Sequence, residues 1–402
     1  MGKVTAILIQ FWRSIGPHLN CKHLHLQSKK IFCMMYGKNL STTSLATESN
    51  LEKLQTDNLA LLRWLRPPQA SHGLAEYNTA EEIAFAMGIS LEKLHSLTTS
   101  TSLTKHYLPF RISKKTGGER IISAPKPELK AAQRWILENI LEKLEVHNAA
   151  HGFCKNRSIV TNAKPHVGAN VIINIDLQNF FQSISYKRVK ELFSGFGYSE
   201  PTATIFGLLC TTAEIAINGQ INYTASENRY LPQGSPASPA ISNLVCRNLD
   251  SRLAAIAENL GFCYTRYADD LTFSASEDTS SKISNLIKNT KFIINSENFT
   301  VNDRKTKISG KSVQQEVTGV IVNTQLNISK KTLKAFRATL YQIEQEGLSG
   351  KTWGKSTNLI AAITGFANYV AMINPNKGAE FKSSVERIKQ KYGHSPKDEV
   401  RF

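Results

Sequence analysis

The run Val171-Ile172-Ile173-Asn174-Ile175-Asp176 constrains this chain more than any other segment. Four of its six residues are β-branched, so it reads as a buried strand. The acid at its exit is anomalous there, because a carboxylate leaving an apolar strand is costly unless something binds it. A second apolar stretch, residues 262–274, reads as a hairpin with Ala268-Asp269-Asp270 at its turn. Alone, two aspartates in a turn are explained by the preference of Asp for turns. Beside a buried strand that also ends on an acid, they form a set that two divalent cations would neutralise. Mg²⁺ takes oxygen ligands and is held by one or two carboxylates plus substrate phosphates. Two such ions would activate an attacking hydroxyl and stabilise a leaving pyrophosphate.

The charge balance fits a polyanionic partner. The 402 residues carry 49 Lys and Arg against 32 Asp and Glu, a formal net charge of +17. Basic surface laid on phosphates releases condensed counterions. Charge of this sign points to nucleic acid or an anionic membrane and leaves the chemistry open. The six cysteines contain no C-x-x-C pair, which fits a reduced, cytoplasmic setting better than a disulfide framework. Cys21, His23, His25 and Cys33 match no usual zinc spacing. No apolar run reaches the ~18 residues of a membrane span, so no membrane is expected. Arg13 cuts short the apolar stretch after Val4, and no signal-peptide cleavage site follows.

Residues 1–50 stand apart as a basic extension with no acid before Glu48 and no sustained period. They read as poorly ordered: a basic arm, an address segment, or the product of a start codon placed upstream of the true one. Helices are expected at 51–66 and 79–97, with Pro67 and Pro68 between them. Residues 106–122 read as a hairpin turning at Lys114-Lys115-Thr116-Gly117-Gly118, and 127–146 as a long helix. Helices at 186–196 and 237–260, a strand pair at 317–326, and helices at 330–346, 357–372 and 379–391 complete an α+β chain.

Tyr267-Ala268-Asp269-Asp270 resembles the Tyr-x-Asp-Asp hairpin of reverse transcriptases, which faces a strand ending in Asp and followed by Phe-Phe. Here that strand continues as Asp176-Leu177-Gln178-Asn179-Phe180-Phe181. Between the two, Gln233-Gly234-Ser235-Pro236-Ala237-Ser238-Pro239, with Asn243 beyond, is similar to the family's Gln-Gly-x-x-x-Ser-Pro loop. The resemblance implies a right-hand polymerase fold with fingers and palm over 51–325, a catalytic antiparallel sheet in the palm, and a helical thumb over 326–402. It implies two Mg²⁺ ions, with Asp176 and Asp269 bridging them and Asp270 in support. Phe181 would lie under the sugar of an incoming dNTP, where a ring clashes with a 2′-OH. Gln233 and Gly234 would line that pocket. Arg120, helped by Lys114 or Lys115, would clamp the triphosphate. Lys305, within Asn302-Asp303-Arg304-Lys305-Thr306, would protonate departing pyrophosphate.

Two further segments resemble bacterial retron reverse transcriptases: Asn162-Ala163-Lys164-Pro165-His166, and Val317-Thr318-Gly319. The likeness runs from about residue 75 to 375, ending in Gly365-Phe366-Ala367-Asn368-Tyr369 and Asn374-Pro375. The stretch after Tyr369 is too short for the maturase and endonuclease additions of group II intron proteins. The resemblance implies recognition of a cognate structured non-coding RNA, in which Asn162, His166, Val317, Thr318 and Gly319 take part. It also implies priming from the 2′-OH of an internal guanosine, a branched RNA–DNA product (msDNA) that stays bound, and an effector protein in antiphage defence. Basic positions on the last helices (Lys330, Lys331, Lys334, Arg337, Lys382, Arg387, Lys389, Lys391) suit either nucleic-acid backbones or a solvated face. The rival readings are other bacterial reverse transcriptases (group II intron, diversity-generating or abortive-infection type) and an inactive RNA-binding scaffold. Retention of Asp176, Asp269 and Asp270 speaks against the scaffold.

Overall fold

In the computed structural model, residues 73–99, 106–113, 117–213, 229–277 and 279–392 are described. They lie within one unit, Pro67–Phe402. The helix expected at 51–66 and the extension over 1–50 fall outside the described residues.

Helices α1 (Ala80–Met87) and α2 (Leu91–Thr99) replace the single helix expected at 79–97. Gly88 adopts φ 67°, and its N–H donates back to the Ala84 and Phe85 carbonyls, which stops α1. Strands β1 (Tyr107–Ser113) and β2 (Glu119–Pro125) pair in register from Tyr107↔Pro125 to Ser113↔Glu119. Helix α3 (Pro127–Asn139) opens on proline and ends sooner than expected. Ile140 leaves helical geometry (φ −123°), and a 3-10 turn follows at Leu141–Lys143. The short α4 (Ile159–Ala163) carries a capping box between Ser158 and Thr161.

Strand β3 (Val171–Asp176) has the bounds its β-branched run predicts. After α5 (Tyr186–Gly195) and α6 (Glu200–Cys210) come the two-residue strands β4 (Thr212–Ala213) and β5 (Arg229–Tyr230). The helix expected at 237–260 is two, α7 (Ser238–Val245) and α8 (Arg247–Leu260), joined at Cys246. Next are β6 (Cys263–Tyr267), β7 (Asp270–Ala275), α9 (Ile283–Ser296) and β8 (Lys307–Gly310). Strands β9 (Glu316–Val317) and β10 (Val320–Ile321) form the expected pair, and α10 (Lys330–Glu346), α11 (Leu359–Ile373) and α12 (Pro375–Tyr392) close the described chain.

The sheet that places the acids runs β6-β7-β3-β8, with each adjacent pair antiparallel. Its alternation divides the protein between two cores. Ile173, Ile175, Leu271 and Phe273 join the larger core beneath the sheet, with α3 and α5 to α9. Ile172 points the other way, into a second core with Val317, Val320 and the faces of α10, α11 and α12. There Phe336 is ringed by Trp353, Phe366 and Phe381 at centroid distances of 4.8, 4.6 and 5.0 Å. No described helix is long and apolar enough to cross a membrane.

Candidate active site

Strand register brings the acids together. Asp176 is the antiparallel partner of Asp270, and Tyr267 pairs with Asp270 across a two-residue turn made of Ala268 and Asp269. The Leu177 N–H donates to the Asp269 carbonyl at 3.0 Å, fastening that turn to the end of β3. Ala268 sits at φ 57°, the left-handed region that favours glycine. On the other side, Gln178 N–H donates to Thr300 O and Asn302 N–H to Asp176 O, both at 2.8 Å. That zipper delivers two side chains to the largely buried Asp176. Asn302 Nδ2 donates to Oδ1 and Lys305 Nζ to Oδ2, each at 2.9 Å.

Burial, and then the nearby Asp176 charge, raise the Asp269 carboxyl above its ordinary value. Asp270 is exposed as a residue, but its carboxyl lies among protein atoms and beside two other acids. Desolvation, then Asp269 and Asp176, push it up to about 6. The hydrogen bond to Asp176 raises Lys305. The cluster is thus short of positive charge, and it already takes an ammonium at Asp176. Its oxygen-only donors suit a hard divalent cation. Among the described residues no three His, Cys, Asp or Glu side chains form a ready-made metal cage. The donors present therefore fit an ion held jointly with substrate phosphates.

Beside the acids lie three rings. Asn179, at φ 46°, turns the chain so that Phe180 packs inward on Phe299 (5.6 Å). Phe181 is half-buried, 6.3 Å from Phe153, and Phe153 is 6.3 Å from Tyr267. Phe153, which sequence reasoning missed, is half exposed at φ 60°. Its left-handed backbone gives no sequence signal in a phenylalanine.

The loop at Gln233 and Gly234 is bonded to β2: Ser123 N–H donates to the Gln233 carbonyl at 2.8 Å. Gly234 sits at φ 121°, and a Cβ there would lie 2.8 Å from Ser123 O. Its lack of a side chain is thus required by the close approach of the β2 backbone. Arg120, on β2, is near enough for its charge to oppose the rise at Asp269. Lys114 and Lys115 lie outside the described residues.

The two retron-like segments meet, although 156 positions separate Asn162 from Thr318: Asn162 Nδ2 donates to Thr318 Oγ1 at 3.4 Å. Thr318 and Gly319, at φ 48° and 84°, make the β9–β10 turn. His166 is fully buried, with Nδ1 2.7 Å from Ser274 Oγ on β7 and Nε2 2.7 Å from Thr265 Oγ1 on β6. Burial drives its pKa down to about 4, so the ring is neutral. Asn162, His166 and Val317 therefore offer RNA no side-chain surface. His166 joins both strands of the acidic hairpin on the face of the sheet that Ile172 shares, and Val317 lies in the second core, so a part for these three in RNA recognition would be played from within the fold. Of that set only Gly319 is exposed, with Thr318 half-buried.

Sequence reasoning also missed Arg266 and Asp250, a fully buried ion pair behind the turn (2.7 Å). Burial opposes the charge on Arg266, but the groups packed against it, Asp250 first among them, together raise its pKa. An arginine inside an otherwise apolar strand was the available signal, since it requires a buried acid somewhere in the fold.

The model for "reverse transcriptase (RNA-dependent DNA polymerase)" matches residues 112–322, a span that contains the acids, the rings and the Gln233-Gly234 loop. Over 348 residues the chain is 37% identical to the retron Mx162 reverse transcriptase of Myxococcus xanthus, covering 82% of this chain and 71% of that one. It is 33% identical over 330 residues to the retron Ec86 reverse transcriptase of Escherichia coli, covering 81% and 93%. Among solved structures, telomerase from Candida albicans, in complex with a fragment of telomeric RNA, aligns with a TM-score of 0.41 and 10% identity. That alignment covers 74% of this chain and 64% of telomerase, a likeness too low to carry weight. The chain belongs to the reverse transcriptases and, within them, to the retron reverse transcriptases. It is an RNA-directed DNA polymerase with the right-hand fold of that family and an RNA template as partner, and such enzymes typically use a divalent metal.

Proposed function

We propose that this enzyme makes msDNA: it extends DNA from the 2′-OH of a guanosine within its own structured RNA and keeps the branched product. The observation that carries this reading is the similarity to retron enzymes over four fifths of the chain, with Asp176 and Asp270 on adjoining strand ends and Asp269 in the turn beside them. Asp176 and Asp269 would hold two Mg²⁺ ions together with the triphosphate of the dNTP, and Asp270 would add charge beside them. The ions, when bound, supply Lewis acidity to the attacking hydroxyl and the leaving oxygen. Lys305, already in contact with Asp176, would stand beside a triphosphate held at these acids and donate the proton that departing pyrophosphate takes up. Arg120 clamps the triphosphate, and Gln233 and Gly234 shape the pocket wall. Phe181, flanked by Phe153, excludes the ribose 2′-OH.

The division into fingers and palm (51–325) and thumb (326–402) is supported by the two cores: α10, α11 and α12 pack in the second, which Ala163, Ala169, Ile172, Val317, Val320 and Val322 join from the palm side. Exposed basic residues on α10 and α12 suit RNA or hybrid backbones. An effector protein and a role in defence against phage complete the proposal by analogy with the family.

The test is the nucleic acid that co-purifies with the enzyme expressed from its native locus. A single-stranded DNA of discrete length, shortened in apparent mass by ribonuclease and absent from Asp269→Asn, is the expected result. Its absence, alongside activity on an annealed RNA template and DNA primer, would remove the msDNA reading and leave the polymerase.

A further inference from the structure

Two non-glycine residues beside the acids hold left-handed backbone, Ala268 at φ 57° and Phe153 at φ 60°. Such backbone is disfavoured for L residues and persists only where the surroundings impose it. Both lead back to one buried group. Arg266 donates through Nε and Nη2 to the two oxygens of Asp250, each at 2.7 Å. Its Nη1 donates to the Ala268 carbonyl and to Asn243 Oδ1, both at 3.1 Å. Asn243 Nδ2 in turn donates to the carbonyl of Gly152, the residue before Phe153, at 2.8 Å. A Cβ on Gly152 would stand 2.7 Å from Ala268 N, so the two strained segments lie backbone against backbone. The main chain closes the frame: His151 N–H donates to Arg266 O and Arg266 N–H to Ala149 O, both at 2.7 Å. Tyr264 Oη adds a bond to Asp250 Oδ1 at 2.9 Å.

Arg266 and Asp250 have no exposed surface, and Asn243 has almost none, so none of them touches substrate. A buried ion pair contributes little net stability compared with apolar residues of the same shape. What this one supplies is direction. A guanidinium is a rigid fork whose Nη1 is aimed once Nε and Nη2 are engaged.

We propose that Arg266, with Asp250 and Asn243, is a positioning device that imposes the left-handed turn at Ala268 and seats Phe153, thereby aiming Asp269 and Asp270. This rests on the reading that those two acids serve polymerisation. Lysine at 266 would keep the charge against Asp250 but could not also reach the Ala268 carbonyl.

The experiment measures kcat and both KM values (dNTP and primer-template), per folded molecule and well below the melting temperature, on an RNA template with a DNA primer. The variants are Arg266→Lys, Ala268→Gly, their combination, Asn243→Ala and Asp269→Asn. Arg266→Lys is expected to lower kcat by roughly ten- to a hundredfold, the cost of a small misplacement of reacting groups, with the primer-template KM unchanged. In that background Ala268→Gly is expected to recover roughly tenfold, because glycine takes left-handed backbone without being forced. Asn243→Ala, which leaves the ion pair whole, is expected to lower kcat severalfold, and it tests the frame if Arg266→Lys does not fold. An unchanged kcat in both Arg266→Lys and Asn243→Ala, or no recovery from Ala268→Gly, overturns the proposal. Asp269→Asn separates the two readings. If it retains synthesis, the assignment of the acids fails, whereas if it is dead while Arg266→Lys is fully active, only the positioning device fails.

Discussion

Replacing His166 by glutamine should flatten the acid side of the stability profile. The ring is buried and bonded to Ser274 and Thr265, and its pKa falls from an ordinary 6.5 to about 4. Between those values the unfolded chain binds a proton that the folded protein refuses. Stability therefore rises with pH across that window, is complete above 6.5, and is lost as the pH falls toward 4. From pH 7 to pH 5 this one ring should remove about 2 kcal/mol, and about 3 kcal/mol once both states are fully titrated. Glutamine can donate and accept at the same place and does not titrate. The variant should start somewhat less stable at pH 7 by the cost of imperfect bonds, about 1 kcal/mol. It should then meet or pass the wild type near pH 5. His151, depressed to about 4 in the same direction, remains in both proteins and cancels in the comparison. Urea unfolding followed by circular dichroism at the two pH values gives the numbers. Equal losses in wild type and His166→Gln would refute the neutral, buried ring.

Phe181→Ala should admit ribonucleotides, seen as rNTP incorporation on the same template; unchanged sugar selection would reject Phe181 as the gate. Gly378→Ala should destabilise the packing of α11 on α12 by about 3 kcal/mol or more, since a Cβ there would lie 2.1 Å from the Ala371 Cα. Thermal unfolding reads that loss directly.

Features written in neighbouring residues were legible. The β-branched run gave β3 its bounds, and alternation around Ala268 placed β6 and β7 within a residue. Helix α10 coincides with its expected span because its apolar period is clean and Ser329 caps it. Helix α9 went unread although Leu286, Thr290, Ile293 and Ile294 recur on one buried face, and β8 was missed because it is a short, mostly polar edge strand. The active-site acids could be found because Asp176 and Asp270 sit at strand ends and Asp269 in the turn beside them, where local pattern and chemistry disagree. Arg266 and Asp250 could not be paired, since nothing in a helix and a strand 16 residues apart says that their side chains converge. Asn162 to His166 was legible as a pattern, but its burial was not, because burial is a property of the assembled fold.

On the proposed function, Asp176, Asp269 and Asp270 form the site of RNA-directed DNA synthesis. Extension of a DNA primer on an RNA template, with Mg²⁺ titrated against wild type and Asp269→Asn, tests it most directly. Metal-dependent synthesis is expected from the wild type and none from Asp269→Asn, with RNA binding and thermal stability retained. Synthesis by Asp269→Asn at a rate near that of the wild type would contradict it.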